Sequence, residues 1–241
     1  MVRIGTAGWS IPKQHVNEFP PTGTHLVRYS RIFSCAEINS SFYRPHRIST
    51  WAKWAASVPD NFRFSVKAPK TITHEANLAC SLEQLKTFLT EVKTLNNKLG
   101  PILFQLPPKF DFNLKGAEAF FVLLRDLHAG SVVFEPRHPA WFTVEADDLM
   151  QRFQIARVAA DPAPVPAGTT PAGWNKLIYY RFHGSPRMYY SEYAKSFLRS
   201  LAGTILQQQA EEIWCIFDNT ASGAALGDAQ TLKDLLASDS T

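Results

Sequence analysis

Eight short apolar segments, separated by helical or irregular stretches, constrain this chain most: Val2–Trp9, Cys35–Asn39, Arg63–Ala68, Pro101–Pro107, Val132–Arg137, Ile155–Asp161, Leu177–His183 and Ile213–Asn219. Runs of this length, rich in β-branched and aromatic residues, read as strands. Helical patterns alternate with them. Thr50–Val58 places Trp51, Trp54 and Ala55 on one face, and Ser81–Leu99 opens with a Ser81/Gln84 capping box and stops at Gly100. Leu114–Leu127, Val144–Phe153, Ser191–Gln209 and Asp228–Leu236 follow. Strand–helix alternation without a linker-like composition shift predicts a parallel α/β architecture. Eight strands favour a TIM-barrel-like closed (β/α)8-type barrel, with a single domain over residues 1–237 and a disordered tail at 238–241. An open doubly wound sheet is the alternative. It would carry a glycine-rich phosphate loop after its first strand, and Gly5-Thr6-Ala7-Gly8 lacks that spacing.

The connections are unequal. Long irregular segments follow strands: Ser10–Gly23, Ser41–Ile48, Pro69–Cys80, Pro162–Asn175 and Gly184–Tyr190. In a parallel barrel these all lie at the C-terminal rim, where such folds place their chemistry. Pro162–Asn175 has no helical period and reads as replacing a crossover helix.

Strand ends carry the polar residues. Val132-Val133-Phe134-Glu135-Pro136-Arg137-His138-Pro139 delivers a carboxylate, a guanidinium and an imidazole before a proline stops the strand. Side chains alternate between faces. With Glu135 inward, the same parity selects Arg137 on its own strand. Elsewhere it selects Glu37 and Asn39, Ser65 and Lys67, Gln105, Asp161, then Tyr179, Arg181 and His183, and Asn219. One reading is a buried ion-pair network that fixes register, with Glu37, Glu135 and Asp161 balancing Lys67, Arg137 and Arg181. The desolvation of so many charges favours a functional site instead. Glu37, Glu135 and His183 are then the catalytic candidates. Trp9, Asn39, Tyr43, Lys67, Gln105, Arg137, His138, Asp161, Arg181 and Asn219 are the substrate-binding candidates.

Carboxylates among Arg, Lys and His suit an anionic ligand, and rim aromatics offer stacking faces. The expected partner is a small phosphate-bearing molecule or a nucleic acid. The chemistry expected is phosphoester hydrolysis or isomerisation, with Glu37 or Glu135 as general base. A protein that holds the same ligand without turnover is the alternative.

Other classes find less support. The chain has no H-E-x-x-H, P-loop or G-x-S-x-G. No cofactor is predicted. A divalent metal would draw on Glu37, Glu135, Asp161, His138 and His183, but neighbouring Arg and Lys compete for those carboxylates. As a glycosidase pair, Glu37 and Glu135 would have pKa values lowered by the same cations, whereas a general acid needs one raised. The net charge of +4 comes without a Lys/Arg run. Three cysteines, an odd number with no CxxC, read as reduced thiols of a cytoplasmic protein. No run of 18 apolar residues indicates a membrane span. Nothing in the pattern sets an oligomeric state.

Several segments resemble the YecE-like proteins grouped as domain of unknown function 72. They are Gly5-Thr6-Ala7-Gly8-Trp9-Ser10, Glu37-Ile38-Asn39-Ser40-Ser41-Phe42-Tyr43, Phe62–Pro69, Ile72-Thr73-His74 and Leu99-Gly100-Pro101 with Gln105-Leu106-Pro107-Pro108. Phe134–Trp141, Tyr180-Arg181-Phe182-His183-Gly184 and Phe217-Asp218-Asn219-Thr220 complete the set, in order along nearly the whole chain. The resemblance implies a TIM-barrel-like fold and no particular reaction. Ala7, Pro136 and Asp218 stand where that family usually has Ser, Phe and Asn. Ala7 removes a hydroxyl from the expected site, so a serine there cannot be a necessary nucleophile in this chain. Asp218 adds a charge that the expected parity turns outward.

Overall fold

Each apolar run of the sequence becomes a strand in the computed structural model, which describes residues 1–238. The order is β1 (Val2–Thr6), α1 (His25–Tyr29), β2 (Cys35–Ile38), α2 (Ser40–Tyr43), α3 (Ile48–Ala56), β3 (Arg63–Lys67), α4 (Leu82–Val92), β4 (Leu99–Gln105) and α5 (Leu114–Leu127). It continues with β5 (Val132–Glu135), α6 (Val144–Arg152), β6 (Ile155–Arg157), β7 (Ala159–Asp161), β8 (Ala172–Gly173), β9 (Leu177–Phe182), α7 (Lys195–Leu206), β10 (Glu212–Phe217) and α8 (Ala224–Ser238). Ser238 thus closes a helix instead of opening a tail, and residues 239–241 lie outside the described residues.

The fold is mixed α/β with parallel strands, but its ladders do not form one continuous closed sheet. They form two: β1-β10-β9-β7, and β2-β3-β4-β5-β6-β8, with β8 antiparallel to β6. The expected sixth strand explains part of the division. It breaks at Val158, so its first half pairs with β5 and its second with β9. On the other side β1 meets β2 through a single bridge, Ala7 to Glu37, with Gly8 N donating to Glu37 O at 2.8 Å. Gly5 makes that approach possible, because a Cβ there would lie 2.1 Å from the Cys35 carbonyl oxygen.

Outward residues such as Phe64, Val66, Phe104, Phe134 and Cys215 pack beneath the helices in the main core. A second core takes residues from both sheets, including Leu103, Val133, Ala156, Tyr179, Trp214 and Ile216. Within it, Trp214 occupies the space left by Gly100, where a Cβ would sit 2.7 Å from the indole ring. Gly100 is therefore a strand residue and not the expected helix stop. α4 ends at Val92 and tightens into a 3₁₀ segment, Lys93–Lys98, before β4 begins. The Ser81/Gln84 capping box forms: Ser81 Oγ accepts from Gln84 N at 3.2 Å, and Gln84 Oε1 accepts from Ser81 N at 3.0 Å. Between β7 and β9 the chain makes a short 3₁₀ turn, Pro166–Thr169, and β8, with no crossover helix. Among the described residues no helix is long and apolar enough to cross a membrane.

Candidate functional site

The C-terminal ends of β2, β3, β5 and β9 bring Glu37, Lys67, Glu135 and Arg181 together, and Gln105 ends β4. Register places Gln105 beside Glu135, and Lys67 beside Leu103, two residues before Gln105. Arg181, wholly buried, is the hub. Its Nε and Nη2 donate to the two oxygens of Glu37 at 3.0 and 2.7 Å, Nη1 to Glu135 Oε2 at 2.6 Å, and Nη2 also to Asp218 Oδ2 at 2.9 Å. Below it Tyr179 donates its hydroxyl to Glu37 Oε2 at 2.8 Å and lies 2.8 Å from Ser65 Oγ. For Arg181 and Glu135 burial opposes the charge, but pairing reverses the balance. Glu135, Glu37 and Asp218 hold Arg181 well above its ordinary pKa despite burial. Burial likewise works against Glu135, and Arg137, Arg181 and His183 still hold its carboxyl well below the usual range.

Arg137 and His183 extend the network. Arg137 pairs with Glu135 and donates to the Pro162 carbonyl at 3.3 Å, while its buried Nε has no partner among the described residues. His183 lies between two carboxylates, Nε2 at 3.1 Å from Glu135 Oε1 and Nδ1 at 3.2 Å from Asp218 Oδ2. Arg137 Nη2 presses to 2.6 Å from the same Nε2. A proton on Nδ1 leaves the Nε2 lone pair for that guanidinium and turns the N–H toward Asp218, although the Nδ1 angle falls short of a hydrogen bond. Arg181 and His183 lower the Asp218 pKa against the effect of burial.

Lys67 stands apart. Its carbonyl accepts from Ser41 Oγ at 2.7 Å, but its amine forms no hydrogen bond or ion pair among the described residues, and the Phe42 ring centroid lies 4.3 Å from Nζ. Phe42 in turn meets the His74 imidazole edge-on at 4.9 Å. Burial, then Arg181, pulls the Lys67 pKa down to about 8, against the opposing pull of Glu135, Glu37 and Asp218. Burial and Lys67 also lower that of His74. Both Lys67 and Gln105 are only partly buried, and neither has an enclosed unpaired polar atom, so both reach solvent.

Several sequence-selected residues face elsewhere. Asp161 and Asn219 carry the wrong parity: in those strands Ala156, Val158, Trp214 and Ile216 point to the second core. Asp161 Oδ2 accepts from the Tyr193 hydroxyl at 2.7 Å, and Asn219 Nδ2 donates to Asp228 Oδ2 at 2.7 Å, both toward the helices. The same parity turns Asp218 inward, where it joins Arg181, contrary to its expected outward orientation. Trp9 packs on Trp54 and Phe64 at 5.1 and 5.8 Å, on the helix side. Tyr43 is exposed. His138 caps a short 3₁₀ turn by accepting from Ala140 N at 3.2 Å. Asn39 stays near the site, and its Oδ1 is buried without a partner. Asp218 is the site member that sequence reasoning missed, while Ser65 and Tyr179, selected by parity but given no role, join the network through Glu37. The signal for Asp218 was the Trp214-x-Ile216 pair of bulky side chains on its face. Among the described residues no group of three or more His, Cys, Asp or Glu is arranged to hold a metal ion.

A family model described as "Protein of unknown function DUF72" matches residues 3–241. The chain belongs to the DUF72 family. UPF0759 protein YecE of Escherichia coli K12 is 32% identical over 176 residues, which is 69% of this chain and 61% of YecE. The matched part therefore spans less than two thirds of that relative. UPF0759 protein YunF of Bacillus subtilis is 24% identical over 98% of this chain and 95% of its own. Crystal structures of DUF72 family proteins from Enterococcus faecalis and Thermotoga maritima share the fold of this DUF72 chain, with TM-scores of 0.84 and 0.83 at 22% and 24% identity. Each alignment covers 98% of this chain, and 96% and 99% of the two neighbours.

Proposed function

We propose that this DUF72 protein is an enzyme acting on a phosphate-bearing substrate bound at the C-terminal ends of the strands, with Lys67 and Arg137 receiving the anion. One observation carries the reading. Arg181 gives its donors to Glu37, Glu135 and Asp218, so within this cluster of described residues the cationic groups left for a ligand are the unpaired Lys67 amine and the partly exposed Arg137. Gln105 and Asn39 add neutral polar groups beside them. Proton transfer falls to Lys67, whose pKa of about 8 lies near working pH. Glu135, held strongly ionised, is too weak a base for the role expected of it.

We read the two sheets as one eight-stranded barrel, a reading supported by the Ala7–Glu37 bridge and by the shared strand Ile155–Asp161. A single domain spanning both sheets goes with it. The cytoplasm suits the chain's three free cysteines. The test is thermal stabilisation by inorganic phosphate and by sugar phosphates, on wild type, Lys67→Met and Arg137→Gln. Stabilisation lost in both variants supports the reading. Equal responses in all three, or stabilisation by single-stranded nucleic acid alone, overturn it.

A further inference from the structure

We infer that Lys67 forms an imine with the carbonyl carbon of a phosphorylated aldehyde or ketone, whose phosphate is held by Arg137. The inference deepens the proposed function and rests on its anion site. Its geometric basis is the isolation of one amine inside a saturated network. Glu37, Glu135 and Asp218 surround the strand ends, yet each is already engaged by Arg181, and Glu135 also by Arg137. Lys67 Nζ is left with an aromatic face 4.3 Å away and with solvent. An ion-paired lysine must break its pair before it can act as a nucleophile; this one need not.

The free base is accessible near neutrality. A shift from 10.5 to about 8 raises the unprotonated fraction at pH 7 roughly 300-fold. Burial lowers this value most, then Arg181; Glu135 and Glu37 on the strands and Asp218 just after β10 oppose it, and His74 faces Lys67 from the turn after β3. The step balances without an outside reagent. The amine lone pair bonds to the carbonyl carbon, and the carbonyl π pair moves to oxygen. An amine proton follows to that oxygen, and a second proton lets it leave as water. The nitrogen lone pair then closes the C=N bond. Overall, ammonium plus carbonyl gives iminium plus water, so the charge is unchanged and Phe42 faces a cation before and after. The substrate phosphate is assigned to the partly exposed Arg137 side chain, which shares Glu135 as a neighbour with Lys67 and can form a charge-assisted bond.

The experiment is borohydride trapping. The whole chain is incubated with dihydroxyacetone phosphate or glyceraldehyde 3-phosphate, reduced, digested and mapped by mass spectrometry. The expected result is one reduced adduct, on Lys67, formed at least ten times faster than on any other lysine. Its rate should rise with pH to a plateau above about 8. Lys67→Arg should abolish it, Arg137→Gln should slow it at least tenfold, and Lys70→Met should leave it intact. The non-phosphorylated glyceraldehyde should label Lys67 at least tenfold more slowly. Thermal stabilisation by inorganic phosphate that depends on Lys67 and Arg137, with no Lys67 adduct, overturns the imine and leaves the anion site standing. Neither stabilisation nor adduct overturns both. Labelling spread evenly over surface lysines also refutes the imine.

Discussion

Replacing Glu135 with Gln separates a structural from a ligand-facing carboxylate. Gln keeps the shape and removes the charge. In the wild type Glu135 Oε2 accepts from Arg181 Nη1 at 2.6 Å, and Oε1 serves Arg137 and lies 3.1 Å from His183 Nε2. After the change Arg181 still has Glu37 and Asp218, but Arg137 loses the carboxylate it pairs with while remaining largely buried, its side chain 11% exposed. Removing one partner of a buried pair costs about 3–5 kcal/mol, because the cation left behind is desolvated and uncompensated. The loss should be read as a lower denaturation midpoint in urea with an unchanged slope. Its pH dependence follows from the lowered folded-state pKa of Glu135. The contribution is complete above the ordinary value of 4.5 and is lost as pH falls through the folded value. The gap between wild type and variant should therefore stay flat from pH 8 to about 5 and narrow only in more acidic solution. A cost below about 1 kcal/mol at pH 7 would refute the pairing assigned to Glu135.

Lys67→Met should raise stability at pH 7, by at most about 3 kcal/mol, since it removes a desolvated cation. The unfolded chain binds the extra proton between about 8 and 10.5, so wild-type stability recovers across that window and the variant's advantage should vanish by its upper end in urea titrations. Gly5→Ala should cost about 3 kcal/mol or more, read by thermal unfolding, because the new Cβ would fall 2.1 Å from the Cys35 carbonyl oxygen and force β1 from β2. Tyr43→Ala, at a side chain 73% exposed, should shift stability by no more than about 0.5 kcal/mol in the same assay.

Much of this architecture was legible because strand periodicity is a local property. Each of the eight apolar runs became strand, and the end of each expected strand lay within three residues of the observed end. Glu37, Lys67, Gln105, Glu135, Arg181 and His183 converge because inward parity was set correctly by the apolar residues before them. It failed where small residues hid the inward face. Ala156 and Ala160 gave no contrast with their neighbours, so Asp161 was turned inward when it faces Tyr193. In β10 the choice of Asn219 over Asp218 ignored Trp214, which could fit only in the space opposite Gly100. That pairing joins residues more than a hundred positions apart, and no window of sequence reveals it. The allocation of charges was equally hidden. Sequence places Arg181, Arg137 and Lys67 near Glu37, Glu135 and Asp161 but cannot say that Arg181 engages the first two together with Asp218 and leaves Lys67 alone.

That last assignment is the centre of the account, and the Lys67 amine reports on it directly. In protein labelled with [ε-¹³C]lysine, the Lys67 resonance, identified by its loss in Lys67→Arg, should titrate with a midpoint near 8, and inorganic phosphate should move the midpoint upward. A midpoint at or above the ordinary 10.5, unchanged by phosphate, would mean that Lys67 is paired or fully hydrated and that the anion site is not where it has been placed.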